Sequence, residues 1–117
     1  MKFAPKTVIL PVLLGSNATS RTLAHRLYKK YSMISYIFDT SRSADTIFSV
    51  YIRFHKIKPL SFCDFLIMEL IDFSAKMNDY TLVLIPCTKE YEEFVSENLS
   101  SLEQSFIISD VGFELEN

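Results

Sequence analysis

The apolar positions of this chain fall into short continuous runs and longer periodic stretches. The continuous runs are rich in β-branched and aromatic residues, as expected for strands that are covered on both faces. They predict strands at 7–14, 33–38, 80–85 and 106–108. A looser alternation of apolar and polar residues predicts a short edge strand at 52–56.

The periodic stretches predict three amphipathic helices, because their apolar residues recur at spacings of three and four. The helices are predicted at 18–31, 61–77 and 88–102. Ser16 or Asn17 can cap the first helix, Ser61 resembles the start of the second, and Thr88 can cap the third. We expect the inner face of the second helix to consist of Phe62, Phe65, Leu66, Leu70, Phe73 and Met77.

The alternation of strands and helices determines the predicted fold class. We predict a three-layer Rossmann-like α/β fold with a mainly parallel sheet of four to five strands. A single domain covers residues 1–117, with an acidic tail from about residue 110. Pro11 cannot donate to a strand ladder, so we expect the paired part of the first strand to begin near or after it, with Val8 to Leu10 as a lead-in.

Composition agrees with a globular chain and excludes disorder as the main state. The 117 residues are 49% hydrophobic and 22% charged. The first apolar run is about eight residues long, well short of the ~20 needed to cross a bilayer, and no signal-peptide pattern follows it. We therefore expect a cytoplasmic protein. Cys63 and Cys87 lack the neighbouring ligands that a zinc site needs, so we expect two buried, reduced thiols.

Charge is distributed unevenly along the chain. The formal net charge is −2, which gives no reason to expect a nucleic-acid or membrane partner. Residues 1–60 carry a net charge of +8, residues 61–87 carry −3, and residues 88–117 carry −7. Such a dipole can attract an anionic small molecule or an acidic protein surface, although solvated helix faces give the same sums more often.

Candidate chemistry lies in the loops that follow the predicted strands, because ligands of open parallel sheets bind beyond the strand ends. These loops are Gly15 to Asn17, Asp39 to Arg42, and Pro86 to Lys89. The first precedes a helix, whose free N–H groups can hold a carboxylate or a phosphate. A capped turn without a ligand is the alternative that the sequence leaves open.

Several activities find no support in the sequence. A dinucleotide-binding loop needs three glycines, and the first loop has one, so we expect no nicotinamide cofactor even though Asp39 ends the second strand. His25 and His55 have no predictable nucleophile partner. We identify no catalytic residue, and we expect neither a metal site nor a cofactor in this chain.

Four segments of the sequence resemble a known family. They are Pro11-Val12-Leu13-Leu14-Gly15-Ser16, Leu23-Ala24, Ser49-Val50-Tyr51-Ile52-Arg53 and Leu84-Ile85-Pro86-Cys87-Thr88-Lys89-Glu90-Tyr91. Their order resembles the N-terminal, pre-ATP-grasp domain of ATP-grasp carboxylate–amine ligases, the group that includes D-aspartate ligase and carbamoyl-phosphate-synthase-like proteins. The strand-to-helix segment LIP-x-x-x-E-Y is the most specific part of the resemblance.

The resemblance implies a function for a domain that is inactive alone. Such ligases activate a carboxylate as an acyl phosphate, which an amine then attacks, and ATP and Mg²⁺ bind in ATP-grasp domains that these 117 residues lack. The expected partners are ATP-grasp domains of the same or a companion chain and a small carboxylate or amine. The expected substrate-binding residues are Gly15, Ser16, Asn17, Thr88 and Lys89. Lys89 stands where the family often has Asp, which reverses the charge of a loop that faces the cleft.

A function of a different class remains open at this point. The same residues can form a stand-alone Rossmann-like binding or protein-interaction module without catalysis. A homodimer is a further arrangement that the sequence leaves open.

Overall fold

A parallel sheet forms the middle layer of the structure. The computed structural model describes residues 8–41 and 49–113. The strands are β1 (Val8–Leu14), β2 (Ser35–Asp39), β3 (Ile52–Lys56), β4 (Tyr80–Pro86) and β5 (Ile107–Ile108). They are ordered β3-β2-β1-β4-β5, and every neighbouring pair is parallel.

Helices cover both faces of this sheet. They are α1 (Ala18–Tyr31), α2 (Cys63–Lys76), α3 (Lys89–Glu97) and α4 (Leu99–Leu102). Buried residues of α1 pack in one core cluster, and those of α2, α3 and α4 pack in a second cluster on the other face. The predicted three-layer α/β fold with a parallel sheet is therefore confirmed.

The pair β1 and β4 forms the centre of the sheet. Its register runs over seven residues, from Val8 opposite Tyr80 to Leu14 opposite Pro86. Successive side chains of a strand point to opposite faces, so β1 contributes Val12 and Leu14 to one cluster and Leu13 to the other. All three are fully buried, which explains why the strand reads as a continuous apolar run.

The predicted start of the first strand is wrong for its pairing with β4 and correct for its pairing with β2. Pairing with β4 begins at Val8, whereas pairing with β2 begins only at Val12. The Gly15 N–H donates to Phe38 of β2, and backbone groups alternate along a strand, so the nitrogen of Pro11 also faces β2. The missing donor of Pro11 therefore delays only the ladder to β2 and leaves the ladder to β4 intact.

The predicted inner face of α2 is wrong at its first turn. Phe62 and Phe65 are 47% and 55% exposed, while Leu66, Leu70 and Phe73 are buried. Phe62 belongs to a 3₁₀ turn, Leu60–Phe62, whose geometry does not continue the helical face, and Phe65 lies about 100° around the helix from Leu66.

Two further predictions in this half of the chain need correction. No side-chain cap precedes α2, so Ser61 does not cap it. Cys63 is exposed, whereas Cys87 is buried as predicted, and neither forms a disulfide. The predicted third helix is two helices, because the Asn98 side chain donates to the Phe94 carbonyl at 2.8 Å and the backbone leaves the helical region at Asn98.

Removal of the Leu84 side chain tests the central strand. Leu84 is fully buried beside Val12, so we expect Leu84→Ala to lower the free energy of unfolding by about 2–5 kcal/mol through lost burial and a residual cavity. Met68→Ala is the control, because Met68 is 60% exposed and its loss should change stability by less than about 0.5 kcal/mol. Urea midpoints measure both, and an unchanged midpoint for Leu84→Ala would contradict the buried position of β4.

Candidate functional site

The topology places a crevice between the ends of β1 and β4. From β1 the chain proceeds to β2 and β3 on one side, then returns to β4 and β5 on the other. This reversal is the switch point at which open parallel sheets bind ligands, beyond the carboxyl ends of the strands. The turn 15–17 follows β1, and the loop 87–88 follows β4, so the two candidate loops are neighbours at this carboxyl edge.

Gly15 joins the two loops by close packing. Its φ is +111°, a conformation that side chains with a Cβ rarely adopt. A Cβ at this position would lie 2.9 Å from Cγ2 of Thr88 and 3.5 Å from the Tyr91 ring. The turn therefore requires glycine for both its backbone conformation and its contact with Thr88.

Asn17 joins the same loops by hydrogen bonds. Its Oδ1 accepts from the Ser20 N–H at 2.8 Å and its N–H donates to Ser20 Oγ at 3.0 Å, so a capping box begins α1. Its Nδ2 donates to the Cys87 carbonyl at 3.0 Å. Thr88 Oγ1 accepts from the Tyr91 N–H at 3.1 Å and caps α3. The two predicted cap sites, at 16–17 and at Thr88, are confirmed.

A carboxylate of the protein itself lies beside the turn. Asp39 Oδ2 accepts from the Ser16 N–H at 2.6 Å, and Oδ1 accepts from the Thr40 N–H at 2.6 Å. The Tyr91 hydroxyl donates to Oδ1 at 3.3 Å. Since charge-assisted hydrogen bonds of this kind are strong, Asp39 fixes the end of β2 against both α1 and α3.

These bonds use the donors that an external anion would need at the turn. The N–H groups of Gly15, Ser16 and Asn17 donate to Phe38 O, Asp39 Oδ2 and Ser20 Oγ, respectively. An anion at this turn would have to displace Asp39 or share its position. The expected contact between this turn and a substrate stays a prediction. Binding of an anion at the turn would cost the hydrogen bond between the Ser16 N–H and Asp39.

The structure brings most of the predicted site residues into contact. Gly15 is buried, Ser16, Asn17 and Thr88 are half-buried, and Lys89 is exposed as the first residue of α3. Arg42, which was part of a candidate loop, lies outside the described residues.

Asp39 and Tyr91 also contact each other at this edge. The sequence predicted Asp39 as part of a candidate loop and Tyr91 as part of the strand-to-helix motif, but it did not predict the hydrogen bond between them. The signal for Tyr91 is its spacing, because the third residue after a capping Thr88 lies in the first helical turn, next to the loop.

Burial and charge hold two groups of this edge in their neutral forms. Burial, followed by the charge of Glu92, raises the pKa of Cys87 from 9.0 to about 12. Burial, followed by the charge of Asp39 and the hydrogen bond to it, raises the pKa of Tyr91 well above 10.0. Cys87 is therefore a thiol at neutral pH and is unsuited to act as a nucleophile.

Residues 8–41 and 49–113 contain no assembled metal site, and their two histidines pack against aromatic rings. No group of three His, Cys, Asp or Glu side chains is placed to hold a metal ion there. His25 stacks obliquely on Tyr51, and His55 stacks on Phe38 with its Nε2 3.9 Å from Glu69. No helix in these ranges has the length and apolar character needed to span a bilayer.

Comparison with known protein families, with curated proteins and with solved structures finds no match for this chain.

A double-mutant cycle tests the contact between Gly15 and Thr88. We expect Gly15→Ala to lower stability by about 1–3 kcal/mol, because it strains a positive φ and places Cβ against Thr88 Cγ2. Thr88→Ser removes that methyl group but keeps the capping oxygen. In this background Gly15→Ala should cost less by about 0.5–1 kcal/mol, measured by urea unfolding, and strictly additive effects would contradict the contact.

The raised pKa values of Tyr91 and Cys87 predict loss of stability in alkali. Each group binds its proton more tightly in the folded state, so its contribution is complete below its unfolded pKa and is lost as pH rises above it. The stability advantage of the wild type over Tyr91→Phe should therefore shrink from about pH 10 upward. Unfolding at several pH values measures this advantage, and a pH-independent difference would contradict the burial of the neutral phenol.

Proposed function

We propose that this chain is the N-terminal domain of an ATP-grasp carboxylate–amine ligase and forms the acceptor-side wall of its active cleft. The substrate at this wall is a small molecule that carries a carboxylate or an amine. ATP and Mg²⁺ bind to ATP-grasp domains of the same or a companion chain, so these residues alone do not catalyse the ligation.

One observation carries this proposal: the two longest segments of the resemblance meet at one edge of the sheet. Residues 11–16 form most of β1 and its turn, and residues 84–91 form the end of β4, its loop and the start of α3. The Cys87 N–H donates to the Leu14 carbonyl at 2.8 Å, and the Asn17 side chain donates to the Cys87 carbonyl. Segments about 70 residues apart thus form one continuous surface at the switch point.

The charges of this surface suit a substrate that carries both signs. Lys89 is exposed in the first turn of α3, where its ammonium favours a substrate carboxylate and opposes the negative charges of Glu90 and Glu92 in the same turn. Asp39 Oδ2 receives one hydrogen bond from the described residues, whereas a carboxylate oxygen accepts two. Its second acceptor position suits the ammonium of an amino acid.

A ligand titration tests the wall. The isotope-labelled chain is titrated with D-aspartate, and with succinate, which has the same two carboxylates but no amine. We expect saturable amide shifts near residues 15–17, 39–40 and 87–90, with millimolar affinity for D-aspartate. Succinate should bind more weakly, because it cannot donate to Asp39. MgATP should cause no saturable shift.

Paired charge reversals provide the control. Lys89→Glu should weaken D-aspartate binding by about fivefold, because the variant loses a rim charge pair worth up to about 1 kcal/mol and adds a repulsive carboxylate. Lys76→Glu makes the same charge change at the last residue of α2, at the opposite edge of the sheet, and should leave the affinity unchanged. Equal affinity in both variants, or no shift at the carboxyl edge, would contradict the proposed wall. Saturable MgATP binding would contradict the assignment of nucleotide to other domains.

A protein-interaction module is the second candidate, and the outer surface of α2 favours it. Phe65 and Met68 of α2 are about half exposed, and so is Phe62 of the preceding 3₁₀ turn, whose ring centre lies 6.2 Å from that of Phe65. Exposed apolar groups of this kind are common at protein contacts. The two candidates differ in one measurement, because an interaction module without a ligand site would give no D-aspartate shifts at the carboxyl edge.

A further inference from the structure

A cavity of about 520 Å³ opens at the edge of the sheet where the strands begin, opposite the switch point. Its volume lies in the range of small-molecule sites, roughly 300–1,000 Å³. Apolar side chains of β1 and of the segment before β2 form most of its wall, including Val8, Leu10, Met33 and Ile34. Polar groups come from Tyr36, Tyr80, Ser32 and Arg53.

Unequal strand lengths create this cavity. β1 begins at Val8, but β2 joins it only at Val12, so the first residues of β1 have no strand on that side. No backbone hydrogen bond joins residues 8–10 to residues 32–34. Because backbone groups alternate along a strand, the N–H and C=O of Ile9 face this gap, as those of Gly15 face β2. The gap therefore contains a backbone donor that has no ladder partner among the described residues.

Arg53 is the one charged residue among the described residues that line the cavity. It lies opposite Tyr36 in the register of β2 and β3, so the two side chains share a face of the sheet. No carboxylate of the described residues forms an ion pair with its guanidinium. Arginine presents a planar set of donors that matches a carboxylate, so the cavity combines apolar walls with a single anion-binding group.

We propose that this cavity binds a small carboxylic acid with an apolar body. The carboxylate pairs with Arg53 and accepts from the Ile9 N–H, and the apolar body lies among Val8, Leu10 and Ile34. This site is separate from the carboxyl edge and does not depend on the ligase proposal. Its ligand does not contact the residues proposed to hold the ligase substrate.

Hexanoate and hexanamide form a matched pair of probes. They share an apolar chain, but only hexanoate carries a charge that Arg53 can bind. In an isotope-labelled titration we expect hexanoate to shift the amides of residues 8–10, 32–34, 53 and 80, and to bind at least about tenfold more tightly than hexanamide. Octanoate should bind more tightly again, by up to about fourfold for each added methylene.

Variants separate the site from general binding of apolar acids. Arg53→Gln should weaken hexanoate binding by about tenfold or more, while Lys56→Gln, on the same strand, should leave it unchanged. Ile34→Glu places a carboxylate at the cavity and should also weaken binding. The amide spectra of Arg53→Gln and Ile34→Glu without ligand show whether each variant keeps the wild-type fold. Equal affinity for hexanoate and hexanamide, an unaffected Arg53→Gln variant, or shifts confined to other surfaces would each overturn the proposal.

Discussion

The parallel pairing of β1 with β4 is the contact on which the rest of the structure depends. The two strands are separated by 65 residues in the sequence, yet they share a seven-residue register and fully buried side chains on both faces. Because side chains alternate along a strand, a shift of one residue would exchange the two core clusters. The same register aligns Leu14 with Pro86, and so brings the turn at Gly15 against Thr88. Fold and candidate site are therefore set by one alignment.

Much of the fold could be predicted because burial leaves a clear pattern in the sequence. The run 80–85 is apolar on both faces, and the central strand occurs there; the loose alternation at 52–56 also corresponds to a strand. The predictions were wrong where one local sequence feature is compatible with two different structures. A proline limits only the ladder that its nitrogen faces, and an apolar residue at a helix start, such as Phe62, can belong to a 3₁₀ turn that points outward.

The candidate site was predictable only in part. Caps and a turn glycine have local signatures, and Asn17 and Thr88 show them. The position of Asp39 has no such signature, because its donors come from Ser16, Thr40 and Tyr91, of which only Thr40 is its neighbour in the sequence. Such a convergence depends on the strand order, which a single sequence does not specify.

The two edges of the sheet differ in how far their polar groups are satisfied, and this difference determines which ligands each can take. At the carboxyl edge, Asp39 already accepts a hydrogen bond from the Ser16 N–H. A second carboxylate there could not use that donor and would be repelled by Asp39. A carboxylate at this edge is favoured only near Lys89, while the position beside Asp39 favours a donor. At the opposite edge, the guanidinium of Arg53 and the N–H of Ile9 have no acceptor among residues 8–41 and 49–113, so that edge favours an anion. The chemistry available at each edge thus follows from the hydrogen bonds that folding leaves unmade.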